Sequence, residues 1–562
     1  MDPQPTTQAQ TRQAPFRWGR ADVAAAFDHF RQTNSSSQRQ FAREQGIPRS
    51  TLGYWWRRDQ PNDDPVASFC HGVAGQSFLK AIVLAALATF ALEGACGLRL
   101  VGSFLQRSGL DRFVAASRGA LLPLLAALEA QLAAFEEHQR PVLAEHLAKR
   151  PTPKAIAVAV DEHFHAVKNC LVGIEPVSNF ILVECYRDRR DADTWTVAIG
   201  EGTRGLNVTV VLLASDLARG LLCCAEKGLG VPHSPDLFHG QRDLLKPLLL
   251  PLTRPVRQAQ EDLEKANRRT QQLDVPAEQT QSPEEEETLI EAVRAELAIE
   301  GRLAQASQRR EQAVQAVRGI GDAYHPFDRQ TGRPLTAAEV DERLAGHVAE
   351  LGRVVEEAGL GEKAQRAVAK APAWVATLTS CVAWFWSLVG DRLEELELSA
   401  EQERAVREQL LPGHYWEQAA RRARTAEERI RLKEMAEGLK AAAWQQGGTL
   451  ATLPEEERQQ VERLAHESAG LFSRSSSCVE GRNGRLSLHH HGHGRVSASR
   501  LTALRVVHNY LARRRDGSSA AERFFGQKHE DVFAWLLRRM PDLPSPAAKR
   551  SPSPAQAQPS PG

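Results

Sequence analysis

The chain has almost no net charge. Its 71 Lys and Arg residues stand against 70 Asp and Glu, which leaves a formal charge of +1. A globally basic protein is excluded, so any contact with nucleic acid must come from local patches. Cysteine is sparse: eight are scattered, Cys223 and Cys224 are adjacent, and no CxxC pair occurs. That pattern gives neither a disulfide framework nor a zinc site, and it fits a reducing interior. Long apolar runs are missing too. The longest uncharged one, Ala81 to Leu92, lies between Lys80 and Glu93. It falls short of the roughly 20 residues that span a bilayer, so a buried helix and no membrane contact are expected. The first residues, MDPQPTTQAQ, lack the apolar core of a signal peptide.

Hydrophobic residues make up 42% of the 562, enough for a real core, and about 100–200 residues per domain suggests three or four units. Residues 1–18 read as a flexible leader. In 19–60, Ala21 to Gln32 suits a first helix, and SSSQRQFAREQGIPRSTLGYWWRRD follows. Ser37 is placed to cap a short helix, Gly46 to turn, Ile47 to pack, and Pro48 to open the next helix. That next helix carries Arg49, Ser50, Thr51, Tyr54, Arg57 and Arg58. A polar start and a basic end are what a helix-turn-helix presents to bases and phosphates; the plain alternative is an ordinary helical hairpin. Residues 66–150 are Ala- and Leu-rich, with helical spacing that suggests packing or dimer surface.

Strand signals begin at 151. Lys154 to His165, KAIAVAVDEHFH, opens with a short apolar run rich in β-branched residues, a buried strand that should end at Asp161. Strands are expected at Lys168–Ile174 and Phe180–Tyr186, then a helix over Asp191–Gly202. Next come the strongest strand signal, Asn207–Ala214, leading to Asp216, and a helix over Leu217–Lys227. A short strand to Phe238 and a further helix would complete a sheet through 254. Two strands thus deliver an aspartate at their carboxyl ends, where sites form in α/β sheets.

Residues 255–470 are charged and helical. Pro283 with its following glutamates suits a helix start, Thr336–Glu339 and Ser399–Gln402 are capping-box patterns, and Trp374, Trp384, Phe385 and Trp386 should form a buried aromatic knot. In 471–540, SRSSSCVEGRN leads to a helical stretch, LHHHGHGR reads as a loop, and Ala520–Met540 as one amphipathic helix. Arg482, Arg485, Arg495, Arg500, Arg505 and Arg513–Arg515 give this part a local cationic character, suited to facing DNA. Residues 541–562 are a Pro/Ser-rich tail.

Asp161, Asp216 and Glu480 are the carboxylates worth weighing together. Three acids at one sheet edge repel each other unless cations intervene, and hard oxygen donors select Mg²⁺ or Mn²⁺. Glu162 rivals Asp161, but strand alternation sends adjacent side chains to opposite faces. Asp236 rivals Asp216 on a weaker strand and otherwise neighbours the site. Glu522 and Glu530 rival Glu480, although solvated glutamates are the default on an amphipathic helix. His489, His490, His491 and His493 lack the ligand spacing of structural zinc sites.

Ser475 to Asn483, with S-x-x-x-V-E-G-x-N around Glu480, resembles the third-acid motif of bacterial insertion-sequence transposases with a DDE catalytic domain. DEHFH at 161–165 and SDLARGL at 215–221 are similar to the first and second aspartate segments. Asp236-Leu-Phe-His239 resembles the D-x-F-H segment that follows. Tyr324-His-Pro-Phe-Asp328 with Thr331-Gly332, and AERFFGQKHEDVF, resemble an uncharacterised-domain family grouped with those transposases. The resemblance covers roughly 155–250 and 473–540.

It implies an α/β ribonuclease-H-like catalytic domain, in parts 151–254 and 471–540, interrupted by an all-α insertion at 255–470. Asp161, Asp216 and Glu480 would be catalytic and would hold two Mg²⁺ or Mn²⁺ ions that clamp the attacking and leaving oxygens. Arg482, Asn483 and Arg485 would touch DNA beside the N-terminal helices, with Asp236 and His239 adjacent to the site. The implied activity is phosphodiester hydrolysis at transposon ends, then strand transfer of the freed 3′-hydroxyl into target DNA. It implies double-stranded DNA as partner, a homo-oligomer on it, and a bacterial cytoplasm. The alternatives are a decayed transposase that binds specific DNA without chemistry, and a helical scaffold.

Overall fold

A computed structural model describes residues 25–26, 28–30, 37–47, 64–165, 168–274, 282–472, 474–493 and 496–546. The chain is mostly helical with one small mixed sheet, and it divides into two compact units. The first comprises 1–142, 487–522 and 528–562; the second comprises 143–486 with 523–527.

The sheet belongs to the second unit. Its strands are β1 (Lys154–His165), β2 (Lys168–Glu175), β3 (Phe180–Arg187), β4 (Val208–Ser215) and β5 (His233–Pro235), in the order β3-β2-β1-β4-β5. The β1–β2 and β2–β3 pairs are antiparallel, whereas β1–β4 and β4–β5 are parallel. Ile156 to Val160 are buried, as are Leu171, Val172, Ile181 and Leu213, so the β-branched runs form the floor of the sheet. Between β2 and β3 the chain turns at Asn179, at φ +64, and the buried Glu175 carboxylate accepts the Val177 amide at 2.8 Å.

Helix Ala192–Thr203 is capped by Asp191, whose carboxylate accepts the Thr194 amide. It approaches the sheet closely at Gly202, where an added Cβ would lie 2.6 Å from the Leu182 carbonyl oxygen. Helix Leu237–Leu273 starts at the end of β5 with Asp236 as its cap. The long helices that follow include Pro283–Ala323, Ala337–Glu357 and Glu362–Glu394. They bury an apolar core containing Leu248, Ile320, Leu344, Leu378, Phe385 and Trp416. Capping boxes form at Ser282, Thr336 and Ser399. In the expected aromatic knot only Phe385 is fully buried; Trp374, Trp384 and Trp386 pack half-buried against the core.

In the first unit, Gln38–Glu44 is helical, Ser37 caps it, and Phe41, Ala42 and Ile47 close a small core with Ala26. Gly46 takes φ +64, as the expected turn requires. The expected recognition residues Arg49, Ser50, Thr51, Tyr54, Arg57 and Arg58 lie outside the described residues. Elsewhere in this unit Phe135 packs edge-on against Tyr510 and Trp535, with ring centroids 5.4 and 5.6 Å apart.

Several local expectations are corrected. β1 runs to His165 rather than ending at Asp161, because β2 pairs with it all the way to the hairpin end. The helix expected over Leu217–Lys227 is a short one, Arg219–Cys223, continued by a π-turn to Leu229. His489 to His493 belong to helix Ser477–His493 rather than to a loop. Ala520–Met540 is two short helices, Ala520–Phe525 and Val532–Arg539, with Gly526 between them at φ +70. The run Ala81–Leu92 sits in a longer helical stretch. Val73–Glu93, Arg118–Ala148 and Glu362–Glu394 are each long and apolar enough to cross a membrane by length and composition. The last of these places Val375, Leu378, Val382 and Phe385 in the helical core.

Candidate active site at the sheet edge

The parallel strands bring three aspartates into line. Ala159 of β1 pairs with Ala214 of β4, and Asp161 and Asp216 each lie two residues further on. Ser215 pairs with Pro235 of β5, so Asp216 and Asp236 are the next residues on their strands. β4 stops at Ser215 while β1 continues, which leaves Asp161 at an open step on that side. Glu162 points the other way. Its carboxylate accepts from Trp195 Nε1 and Arg190 Nη1, each at 3.2 Å, on the face covered by helix Ala192–Thr203. Asp161 and Glu162 thus face opposite sides of the sheet, as strand alternation requires.

Helix Ser477–His493, which bears Glu480, is tied down by three attachments. At its start the buried Asp236 carboxylate accepts the Ser476 amide at 2.5 Å and the Ser476 hydroxyl at 2.6 Å. One turn past Glu480, Asn483 Nδ2 donates to Asp161 Oδ2 at 2.9 Å. Arg482 grips Glu184 of β3 through two bonds of 2.6 and 2.8 Å. Glu184 pairs with Val172, and Val172 with Asp161, so these three occupy one row across the sheet. The helix lies along that row. Glu480 and Asn483, three residues apart, share a helix face, roughly 5–6 Å apart between Cβ atoms.

His239 stands between two of the acids. Its Nδ1 is 3.1 Å from Asp236 Oδ1 and 3.7 Å from Glu480 Oε1. Asp236 also accepts the His239 amide, so the ring is fixed by the first turn of its own helix. Asp236 and His239 thus lie beside Glu480.

Burial pushes the Asp161 carboxyl up to about 6, the Glu162 amide and Asn483 work against that, and the nearby charge of Asp216 adds to it. Burial also acts to raise Asp236, but the bonds from Ser476 and His239 hold it below the usual carboxylate range. The site thus contains one acid that resists ionisation next to a second carboxylate, and a third that is firmly ionised and structural. Such divergent environments are common at functional sites.

Among the described residues, no group of three or more His, Cys, Asp or Glu side chains is gathered closely enough to hold a metal. What stands at the Asp161 position is a smaller donor set. The charge of Asp216 acts on Asp161, and beside Asp161 Asn483 Oδ1 is buried without a hydrogen-bond partner. Carboxylate and amide oxygens are hard donors, of the kind that Mg²⁺-class cations take.

Two of the residues expected at DNA make internal contacts instead. Arg482 is 5% exposed and neutralised by Glu184, so it holds the helix down instead of reaching outward. Asn483 is committed to Asp161. Arg485 is exposed. The wider basic cluster is also largely paired: Arg500 with Glu129, Arg505 with Glu136 and Arg513 with Glu522. Local charge counting missed these partners because most lie hundreds of residues away. The attachment of Asn483 had one signal in the sequence, its position one helical turn after Glu480.

A profile of a family of unknown function, DUF6399, matches residues 406–552, a span that includes Glu480 and the helices after it. No curated protein and no solved structure matches the chain.

Proposed function

We propose that the chain is a DNA transposase of the DDE type, with a ribonuclease-H-like catalytic domain interrupted by the helical region. One observation carries the reading. Asp161 and Asp216 lie side by side at the carboxyl edge of adjacent parallel strands, and the helix bearing Glu480 is fastened over Asp161 through Asn483. The β3-β2-β1-β4-β5 order, with its antiparallel hairpins leading into parallel strands, supports the domain assignment.

In this reading Asp161, Asp216 and Glu480 would hold Mg²⁺ or Mn²⁺. When bound, the ions supply Lewis-acid stabilisation and an activated water for phosphodiester cleavage. The chain's own residues set the geometry. Asn483 orients Asp161, and His239, backed by Asp236, stands beside Glu480. Burial makes the Asp161 carboxyl reluctant to ionise below about pH 6 in the metal-free protein, so a cation entering there would compete with a proton. The substrate is double-stranded DNA, cut at transposon ends and joined to a target by its 3′-hydroxyl, with the protein a homo-oligomer on DNA in a bacterial cytoplasm. The apolar stripe of Glu362–Glu394, buried against helices of its own unit, supports a role away from membranes.

Asp161→Asn, Asp216→Asn and Glu480→Gln should each abolish Mg²⁺-dependent cleavage of DNA carrying the element's ends, with DNA binding retained. Wild-type cleavage by any one of them sinks the assignment. The alternative, a DNA-binding protein without chemistry, draws support from Glu480, whose carboxylate faces His239 at 3.7 Å. Binding with no cleavage by the wild-type protein would favour it.

A further inference from the structure

The helical region of the second unit contains a cleft of about 600 Å³ that begins beside the candidate site. Leu237 and Phe238, next to His239, line one end together with Ser475 and Ser477, which precede Glu480. Farther in, the walls carry five arginines. Two are spoken for. Arg329 pairs with Asp322 and Glu428, the two acids of the lining, and Arg474 is held by the Gly321 carbonyl and the His325 ring. The other three, Arg318, Arg422 and Arg424, are exposed. Arg422 makes one hydrogen bond, to the Pro176 carbonyl at 3.0 Å, and among the described residues Arg318 and Arg424 have no ion-pair or hydrogen-bond partner. Burial and the neighbouring guanidiniums keep His325 uncharged, so it adds no charge to the cleft. The cleft therefore presents three uncompensated positive charges with its acids already consumed.

At the mouth the Phe238 ring is 48% exposed. Its neighbour Leu237 is 7% exposed, so the two side chains at the helix start point opposite ways. Guanidiniums spaced along a groove take the phosphates of a nucleic-acid backbone, and a solvent-facing aromatic ring takes the face of an unpaired base. A duplex keeps its base faces stacked and offers none to Phe238.

We propose that this cleft binds a single strand of DNA, with Arg318, Arg422 and Arg424 on consecutive phosphates and a base stacked on Phe238. The inference rests on the proposed reading of the sheet-edge site, because it supplies a path for the strand on the Glu480 side of that site. The contacts are to backbone and ring faces, so the cleft is indifferent to sequence.

The test uses the full-length protein, a fluorescently labelled oligothymidylate of about 12 nucleotides, and a blunt duplex of the same length. Arg318→Ala/Arg422→Ala/Arg424→Ala should weaken oligonucleotide binding at least about tenfold at roughly 0.1 M salt. It should also flatten the log K against log salt slope by about 2, given about 0.7 per single-strand phosphate contact. The triple Arg→Lys variant should recover most of the affinity, which separates lost charge from misfolding. Phe238→Ala should cost about tenfold for the oligonucleotide and leave the duplex unchanged. An alanine triple variant with wild-type affinity and slope overturns the proposal, as does a Phe238→Ala variant that loses both probes equally. Wild-type protein that fails to bind the oligonucleotide overturns it too. Unchanged binding by the triple variant beside normal wild-type cleavage refutes the cleft and leaves the catalytic reading standing. The expected binding losses beside no cleavage at all refute the catalytic reading and leave the cleft.

Discussion

Asp161→Asn should make the metal-free protein more stable at neutral pH. In the folded chain the Asp161 carboxyl is lifted from 3.8 to about 6, first by burial and then by the charge of Asp216. At about 1.4 kcal/mol per pKa unit, ionising it costs the native state about 3 kcal/mol, and partial exposure trims that to roughly 2–3. The sign follows from linkage. The folded state binds this proton more tightly than the unfolded state, so the penalty is absent below about pH 4. It grows between pH 4 and 6 and is complete above that. Asparagine removes the charge while keeping the shape. The Glu162 amide retains its acceptor, and a rotated Asn483 amide offers its unpartnered Oδ1 to the new side chain. Thermal unfolding of the two proteins in chelator should show the variant a few degrees more stable at pH 7.5 and equal at pH 4. Millimolar Mg²⁺ should narrow the gap by stabilising only the wild type. A variant that is destabilised at pH 7.5, or equally stabilised at both pH values, refutes the claim that Asp161 is held as a strained anion.

Other expectations concern how the Glu480 helix is held. Removing one partner of the buried Arg482–Glu184 pair, as in Arg482→Ala, should cost about 3–5 kcal/mol, and Arg482→Met/Glu184→Leu should return most of it; thermal midpoints of the single and double variants check this. Asp236→Ala should cost about 3 kcal/mol by freeing both the His239 amide and Ser476. Because Asp236 is held low, its contribution is present at neutral pH and fades as pH falls below about 4, so this variant should differ least from wild type in acid. Gly202→Ala should destabilise by about 1–3 kcal/mol, since its Cβ would meet backbone at 2.6 Å; a neutral result by thermal unfolding would show that the helix can slide off β3.

The strands were legible because their apolar, β-branched runs are bounded by turns, and the helix starts because their capping residues are local. Asp161 and Asp216 could be singled out for the same reason: each follows a strong strand signal. The extension of β1 to His165 was hidden, because DEHFH is polar and owes its strand form to pairing with β2. Helix Ser477–His493 was hidden by three glycines and a histidine run that favour a loop, and it persists because its side chains reach the sheet. Arg482 and Asn483 show the limit most clearly. Their partners are 298 and 322 residues away, so charge and polarity pointed outward to DNA where the fold points them inward.

The fastening of Ser476 to Asp236 spans 240 residues of intervening chain. A ribosome adding about 5–20 residues per second needs roughly 10–50 s to travel that distance. Throughout that interval the strands bearing Asp161 and Asp216 have emerged without the helix that lies over them. Glu480 joins only when the helical region has folded and brought the chain back. A truncated or stalled product would therefore hold two of the three acids and lack the third, so the completeness of the site reports on the completeness of synthesis.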